Sequence, residues 1–173
     1  DYTGTGGNGT IAHGLGVTPN WVLVRNRDGG NNDANFHHFT GLLSADNKVL
    51  YGSSTDGEQT NASAFNSTAP TSTNITVGTN SATNKDGDNY IMYAFANIQG
   101  FSKIGKYNGN GNANGPFVYT GFRPAWLLIK RTDSANSWHL YDNKRDPVNQ
   151  VDNYLLADTA GSETSDTNKG TDL

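Results

Sequence analysis

The sequence predicts an all-β protein made of tandem antiparallel β-sandwich units of a jelly-roll-like kind. Only 34% of its 173 residues are hydrophobic, yet these include three Trp, eight Tyr and seven Phe, which favour sheets. Short apolar runs of strand length alternate with turns rich in Gly, Asn, Asp and Ser, and no stretch has a convincing helical period. The third observation is that the chain repeats itself.

The repeat relates two segments without a gap. Residues 2–28, YTGTGGNGTIAHGLGVTPNWVLVRNRD, align with residues 107–133, YNGNGNANGPFVYTGFRPAWLLIKRTD, at an offset of 105. The shared positions are Tyr2/Tyr107, Gly4/Gly109, Gly6/Gly111, Gly16/Gly121, Pro19/Pro124, Trp21/Trp126, Leu23/Leu128 and Asp28/Asp133. After a contraction of three residues, FHHF at 36–39 meets WHLY at 138–141, so that His37 lies opposite His139. An ungapped set of this size indicates a structural repeat.

The offset divides the chain into a first β-sandwich repeat at residues 1–100 and a second repeat at residues 101–173. The counterpart of the run at 90–96 would lie beyond Leu173, so the second unit is predicted to lack its C-terminal strands. A sandwich without its central strand has unpaired backbone groups and an open apolar groove. We expect the missing strand to come from continuing sequence or, as the alternative, from a neighbouring chain by β-augmentation. Because the chain begins with Asp1 and not with Met, we also expect it to be processed or a fragment.

Five runs in the first unit are predicted strands: residues 20–26, 36–41, 47–52, 74–78 and 88–96. The last, containing YIMYAFA, is apolar or aromatic on both faces, as a central strand requires. Trp21 and Trp126 are predicted to be buried at equivalent positions, because the gapless register gives both side chains the same face. The signature glycines are predicted to lie in turns, several with positive φ. The polar stretch that follows Gly41 is predicted to be an exposed loop.

Composition and charge argue against several classes of partner. The formal net charge is −4, the pI is near 5.4 and the cations are scattered, which disfavours nucleic acid and membrane surfaces. No apolar run approaches the length of a membrane span, and without cysteine there is no disulfide framework. The run GTGGNG at 4–9 has the spacing of a dinucleotide fingerprint, but both glycine-rich copies lead into strands and not into helices.

Candidate catalytic and metal-binding residues are few. The four histidines have no metal-binding spacing, so His37 and His139 are predicted to pack beside aromatic residues. No nucleophile motif appears, and the sequence predicts a protein that is not an enzyme. No cofactor is predicted. A structural calcium ion is the alternative, although the twelve-residue calcium loop is absent. Its candidate ligands are Asp86, Asp88, Asp142, Asp146 and Asp152.

Several runs together resemble a known repeat module. They are AHGLGVTPNWVLVRNR, the stretch from Tyr90 to Asp133, SWHLYDNKRDPVN and YLLAD. They are similar to a repeat found in tail-fibre and other virion-surface proteins of marine bacteriophages, and the likeness spans nearly the whole chain. The resemblance implies a large, non-enzymatic, multi-repeat structural protein on a virion exterior. It implies no catalytic or binding residues.

Two functions are therefore expected. The first is a structural or adhesive module of an extracellular or virion-surface fibre, whose partners are other copies of the chain, neighbouring fibre chains or host surface glycans. The alternative is a lectin-like, carbohydrate-binding module of a surface or secreted protein, in which Trp138 and Tyr141 stack on sugar faces.

Overall fold

The computed structural model describes residues 1–29 and 36–173. These ranges contain twelve β-strands, one short α-helix and one 3₁₀ turn. In the first unit the strands are β1 (Tyr2–Thr3), β2 (Gly9–Ala12), β3 (Trp21–Asn26), β4 (His37–Phe39), β5 (Lys48–Tyr51), β6 (Gln59–Thr60), β7 (Asn74–Val77) and β8 (Asn89–Phe95), with the helix α1 at Ser81–Asn84. The second unit contains β9 (Trp126–Ile129), β10 (His139–Asp142), β11 (Asn153–Leu156), β12 (Thr164–Ser165) and the 3₁₀ turn at Thr167–Lys169.

The first sheet has six antiparallel strands in the order β1-β8-β3-β4-β5-β6. In β3 the side chains of Val22, Val24 and Asn26 are buried, whereas Arg25 is exposed. This alternation directs one set of side chains into the core, and β-branched valines suit the extended backbone. β8 lies between β1 and β3, which confirms that the run at 88–96 contains a central strand.

The core of the first unit lies between this sheet and the two-stranded ribbon of β2 and β7. Its fully buried members are Val22, Val24, Phe39, Val49, Ala64, Phe65, Ile75 and Tyr90. The all-β antiparallel sandwich predicted from the sequence is thus confirmed. Phe65, however, lies in the polar stretch that was predicted to be exposed, and it is only 2% exposed. The prediction is wrong at this point because Phe65 packs at a tilt against Phe39, with ring centroids 5.5 Å apart, and closes the core.

The second sheet has four antiparallel strands in the order β12-β11-β10-β9. Its buried core consists of Tyr141, Val151 and Tyr154. Leu127 and Ile129 of β9 pack against this core but are only partly buried. The second unit therefore contains a single sheet with a much smaller core than the first.

The two sheets repeat each other residue by residue. Val22 pairs with Phe39 in the first sheet, and Leu127 pairs with Tyr141 in the second. The strands β3, β4, β5 and β6 correspond to β9, β10, β11 and β12, in that order. Residues that are paired across two strands of the first sheet align with residues that are paired across the corresponding strands of the second. The predicted opposition of His37 and His139 is confirmed by their place at the start of β4 and β10. In the described residues, each strand of the first unit pairs only with strands of the first unit, and each strand of the second unit pairs only with strands of the second.

The two units contact each other through a short interface. The indole Nε1 of Trp138 donates to the carbonyl oxygen of Tyr51 at 3.1 Å, and the Trp138 ring lies 4.5 Å from the ring of His38. The backbone N of Glu58 donates to the carbonyl oxygen of Thr132 at 2.7 Å. These contacts combine a buried aromatic cluster with backbone hydrogen bonds, so the units are attached by more than their covalent connection.

Candidate functional site

The β9 edge is the feature that most distinguishes the two units. In the first sheet, β3 has neighbours on both sides, β8 and β4. In the second sheet, the aligned strand β9 pairs with β10 alone among the residues that the structure describes. An open strand edge presents unpaired N–H and C=O groups, which are a template for another strand. We call the outward side of residues 126–130 the β9 edge.

The backbone register shows which residues form this edge. The backbone N of Asn143 donates to the carbonyl oxygen of Ala125 at 3.1 Å. Antiparallel strands alternate between residues that bond to one neighbour and residues that face the other side. Leu127 and Ile129 therefore direct their backbone groups toward β10, and Trp126 and Leu128 direct theirs toward the β9 edge.

Trp126 is the principal side chain at the β9 edge. It is 50% exposed, whereas Trp21, its partner in the repeat, is mostly shielded from solvent although not fully buried. Trp21 stacks on Phe95 of β8 with ring centroids 5.1 Å apart, and its Nε1 donates to Nδ1 of His38 at 3.2 Å. The prediction of equivalent buried sites is wrong: Trp126 is exposed, because no β8-type strand covers it in the described residues, and Trp21 is only partly buried.

Exposed aromatic residues continue into the segment before β9. Phe117 is 89% exposed and Tyr119 is 77% exposed, and neither lies in a strand. Tyr119, Thr120 and Gly121 line an open hollow of about 340 Å³ together with residues 97–99, 102 and 103. These two aromatics were not singled out from the sequence. The signal available was the run GPFVYTGF, which carries three aromatic residues where the aligned run of the first copy, TIAHGLGV, carries no Phe, Tyr or Trp.

The proposed glycan-stacking residues lie elsewhere, inside the molecule. Trp138 is 4% exposed and Tyr141 is 3% exposed. Trp138 packs between the units, and the hydroxyl of Tyr141 donates to the carbonyl oxygen of Lys169 at 2.7 Å. Burial is the main cause that raises the pKa of Tyr141 to about 12, and the electrostatic effect of the neighbouring Tyr154 raises it further. Neither ring offers a free face, so the structure corrects this assignment: sugar cannot stack on Trp138 or Tyr141 in this arrangement.

The histidines serve packing in both units. The ring of His37 lies 5.0 Å from that of Tyr51, and the ring of His139 lies 5.0 Å from that of Tyr154. His38 points to the opposite side, toward Trp138. Burial is the main cause that lowers the pKa of His38 to about 3, and the charge of the neighbouring His37 contributes to the same shift. His38 is therefore neutral at physiological pH and accepts the Trp21 hydrogen bond through Nδ1.

Three of the five candidate calcium ligands, Asp88, Asp142 and Asp146, have their carboxylates engaged within the protein. Asp146 accepts from the backbone N and the side-chain Nδ2 of Asn153, at 2.7 and 2.6 Å, and from the backbone N of Asp152 at 2.9 Å, and these hydrogen bonds lower its pKa. Asp88 accepts from the side chain of Asn26 at 2.8 Å. Within residues 1–29 and 36–173, no three His, Cys, Asp or Glu side chains are grouped so as to hold a metal ion. In the same ranges no helix is both long enough and apolar enough to cross a membrane.

The signature glycines and prolines of the repeat occupy matching turns. Gly6 and Gly111 have φ values of 70° and 67°, and Gly16 and Gly121 have φ values of 72° and 83°. The predicted positive φ is thus confirmed in both copies at these two positions, where a β-carbon would strain the backbone. Pro19 and Pro124 each precede the matching strand, two residues before its tryptophan. Pro19 is buried and Pro124 is half-buried.

The chain belongs to the protein family described as "Domain of unknown function (DUF7483)", whose model matches residues 1–173. No curated protein and no solved structure matches the chain.

Proposed function

We propose that this member of the DUF7483 family is a structural repeat module of an extracellular or virion-surface fibre, in which strand pairing joins neighbouring units. One observation carries the proposal. Strands β9 to β12 repeat the order and register of β3 to β6, while the side of the sheet that β8 covers in the first unit has no strand against it in the second, within the part of the chain that the structure describes. A unit with one open side can be joined to another by β-augmentation, and repetition of such joins extends a filament.

Two further features support a structural role. The units are attached to each other by Trp138 and by a backbone hydrogen bond between Glu58 and Thr132, as stacked repeats are attached to their neighbours. The resemblance of the sequence to a module of tail-fibre and virion-surface proteins gives the setting for such an array. In this proposal the module sets length and displays loops, and it performs no catalysis.

Immunogold electron microscopy tests the location and form of the parent protein. Antibodies raised against the 173-residue chain are applied to cells of the source organism and to any virus particles that it releases. We expect gold along fibres outside the cell or on the particle surface. Gold confined to the interior of the cells would contradict the proposal, and preimmune serum is the control.

A carbohydrate-binding function is the second candidate. Phe117 and Tyr119 favour it, because a ring that is 89% or 77% exposed has a free face for the apolar side of a sugar. They replace Trp138 and Tyr141 as the candidate stacking residues. A fibre module that also binds host glycans would combine both functions.

A glycan array separates this function from a purely structural one. If the chain binds glycans, we expect Phe117→Ala and Tyr119→Ala to abolish the signal while Val148→Ala, a change at an exposed but non-aromatic position, preserves it. A chain that binds no glycan on the array, or that binds equally well without both rings, would remove the carbohydrate candidate.

A further inference from the structure

We propose that the β9 edge binds a strand with the side-chain chemistry of β8, supplied from outside residues 1–173. The strand would lie antiparallel to β9, with an aromatic residue against Trp126 and an asparagine against Asp133. This inference rests on the proposed function for its biological setting and names the partner of the same surface. Its geometry is taken from the contact of β3 with β8 in the first unit.

Along the β9 edge, the outward-facing backbone N–H and C=O groups alternate in the same way as those with which β3 binds β8. The backbone N of Arg27 donates to the carbonyl oxygen of Asn89 at 2.8 Å, so alternation directs Leu23 and Trp21 toward β8 as well. The residues aligned with these two are Leu128 and Trp126. The hydrogen-bonding groups used by β3 to hold β8 are therefore present at the β9 edge, in the same order.

The exposed ring of Trp126 fits the aromatic end of such a strand. In the first unit Trp21 pairs with Phe95 across the sheet, and their rings stack with an interplanar angle of 28°. Trp126 occupies the position of Trp21 at the start of its strand. Its 50% exposure leaves a face on which the aromatic residue of an incoming strand can stack in the same way.

Asp133 fixes the other end of the strand. Its partner in the repeat, Asp28, accepts from the backbone N and the side-chain Nδ2 of Asn89 at 2.7 and 2.8 Å. Asp133 has an ion pair with Arg131 and a side chain that is 75% exposed. An asparagine at the start of the incoming strand can therefore bind Asp133 as Asn89 binds Asp28.

The inward side chains of the strand would complete the second core. In the first unit Tyr90 is fully buried, and Met92 and Ala94 pack against the same core. In the second unit Leu127 and Ile129 lie at the border of the core and remain partly exposed. Tyr, Met and Ala at alternate positions of a new strand would cover them.

An intact second copy cannot supply its own β8 to this edge. β8 is paired with β3 along its whole length and with β1 at its start, and Tyr90 is buried in the core. Removing it would open the first unit. The occupant is therefore a separate strand of the β8 type and not the β8 of a folded neighbour.

A labelled peptide tests the proposal directly. A fluorescein-labelled peptide with the sequence of residues 88–97, DNYIMYAFAN, is titrated with the 173-residue chain and followed by fluorescence anisotropy. We expect saturable binding with one peptide per chain and about tenfold weaker binding to Trp126→Ala, the loss of one aromatic pair. Phe101→Ala removes another exposed aromatic ring and should leave the affinity unchanged.

Backbone-methylated peptides distinguish strand pairing from hydrophobic adhesion. N-methylation at Tyr93 removes an N–H that would face β9, whereas N-methylation at Met92 removes one on the far side. We expect the first peptide to lose binding and the second to retain it. No binding of the unmodified peptide, or equal binding of both methylated peptides, would overturn the inference. Immunogold labelling inside cells together with specific peptide binding would instead overturn the proposed function alone.

Discussion

The first sheet continues past β3 with β8 and β1, whereas within residues 1–29 and 36–173 the second sheet ends at β9, and this difference separates two otherwise matching regions. Without β8 the strands β9 to β12 still form in the same order and register as β3 to β6. The positive φ at Gly111 and Gly121 is likewise the same as in the first copy. Local sequence therefore suffices for this meander and its turns, in keeping with contacts between strands that are adjacent in the sequence.

The burial of the aromatic side chains near the start of each repeat, and the strand pairing of that segment, depend on β8 instead. Tyr2 stacks on Tyr90 with ring centroids 5.0 Å apart, but the aligned Tyr107 is 49% exposed. β1 and β2 pair with β8 and β7, and the segment aligned with them, residues 107–117, contains no strand. The comparison teaches that the repeat signature encodes strands that form only when their partners are present.

The largest expected contrast concerns His38, which is aligned with Leu140 of the second unit. The folded-state pKa of His38, about 3, lies below its ordinary value of 6.5, so only the unfolded chain binds a proton between these pH values. The free energy of unfolding should therefore fall as the pH is lowered, by about 2 kcal/mol at pH 5 and about 4 kcal/mol at pH 3. Urea titrations between pH 7 and pH 5, followed by tryptophan fluorescence, measure this.

His38→Leu installs the second unit's residue and serves as the control. It should be less stable at pH 7, because Trp21 Nε1 loses its acceptor, but its stability should vary less with pH. An unchanged slope in the variant would assign the pH dependence to other groups, such as His139, whose pKa burial also lowers.

The next contrast concerns Gly4 and Gly109, which are aligned glycines with different surroundings. A β-carbon at Gly4 would lie 2.0 Å from the carbonyl oxygen of Lys85, whereas one at Gly109 would meet nothing within 4 Å. We expect Gly4→Ala to cost about 3 kcal/mol or more, because the hairpin before β8 must shift. Gly109→Ala should stay within about 0.5 kcal/mol of the wild type. Thermal unfolding of both variants measures the difference, and equal losses would contradict it.

The aligned tryptophans give a smaller contrast. Trp21→Ala removes the stacking on Phe95 and the hydrogen bond to His38, and it should cost about 2–3 kcal/mol. Trp126→Ala removes a half-exposed ring and should cost less than about 1 kcal/mol. Chemical unfolding of both variants checks the order of the two values. A larger loss for Trp126→Ala would mean that its ring already has a partner in the folded chain.

Much of the fold was predictable from sequence, because the repeat supplies an internal alignment. The strands β3, β4, β5, β7 and β8 fall within the predicted runs. The alignment of His37 with His139 required only the three-residue contraction. Two-residue strands such as β1, β6 and β12, and the four-residue helix α1, are too short to produce a periodic pattern. They form because partners distant in the sequence hold them, as when Thr83 Oγ1 of α1 donates to the carbonyl oxygen of Ala64.

The site was less predictable than the fold. Aromatic identity alone does not reveal whether a ring is buried, and the sequence assigned Trp138 and Trp126 to the opposite environments from those they occupy. Trp138 is buried because it packs against His38 of the other unit, which is a contact between residues 100 positions apart. Trp126 is exposed because one side of its strand has no neighbour among the described residues. Both outcomes depend on partners that are distant in the sequence.

The smallest expected contrast concerns the one cationic position that the repeat preserves, Arg25 and Lys130. The Arg25 guanidinium carbon lies 5.2 Å from the ring centroid of Phe36, and Lys130 Nζ lies 5.9 Å from that of Trp138. Lys130 Nζ also donates to the carbonyl oxygens of Thr55 and Asn136 at 2.9 and 2.7 Å, which ties the second unit to the first. Burial lowers the pKa of Lys130, with an opposing effect of Asp158, so its charge is partly desolvated.

Matched substitutions to methionine keep the aliphatic stem and remove the charge at each position. Arg25→Met should cost about 0.5 kcal/mol, the value of an exposed cation–π pair. Lys130→Met should cost about 1–2 kcal/mol, because two carbonyl groups lose their donor. Differential scanning calorimetry of the two variants measures the gap. Equal costs would show that the two carbonyl hydrogen bonds of Lys130 add nothing to the attachment between the units, and that only the preserved cation–π contact stabilises this position.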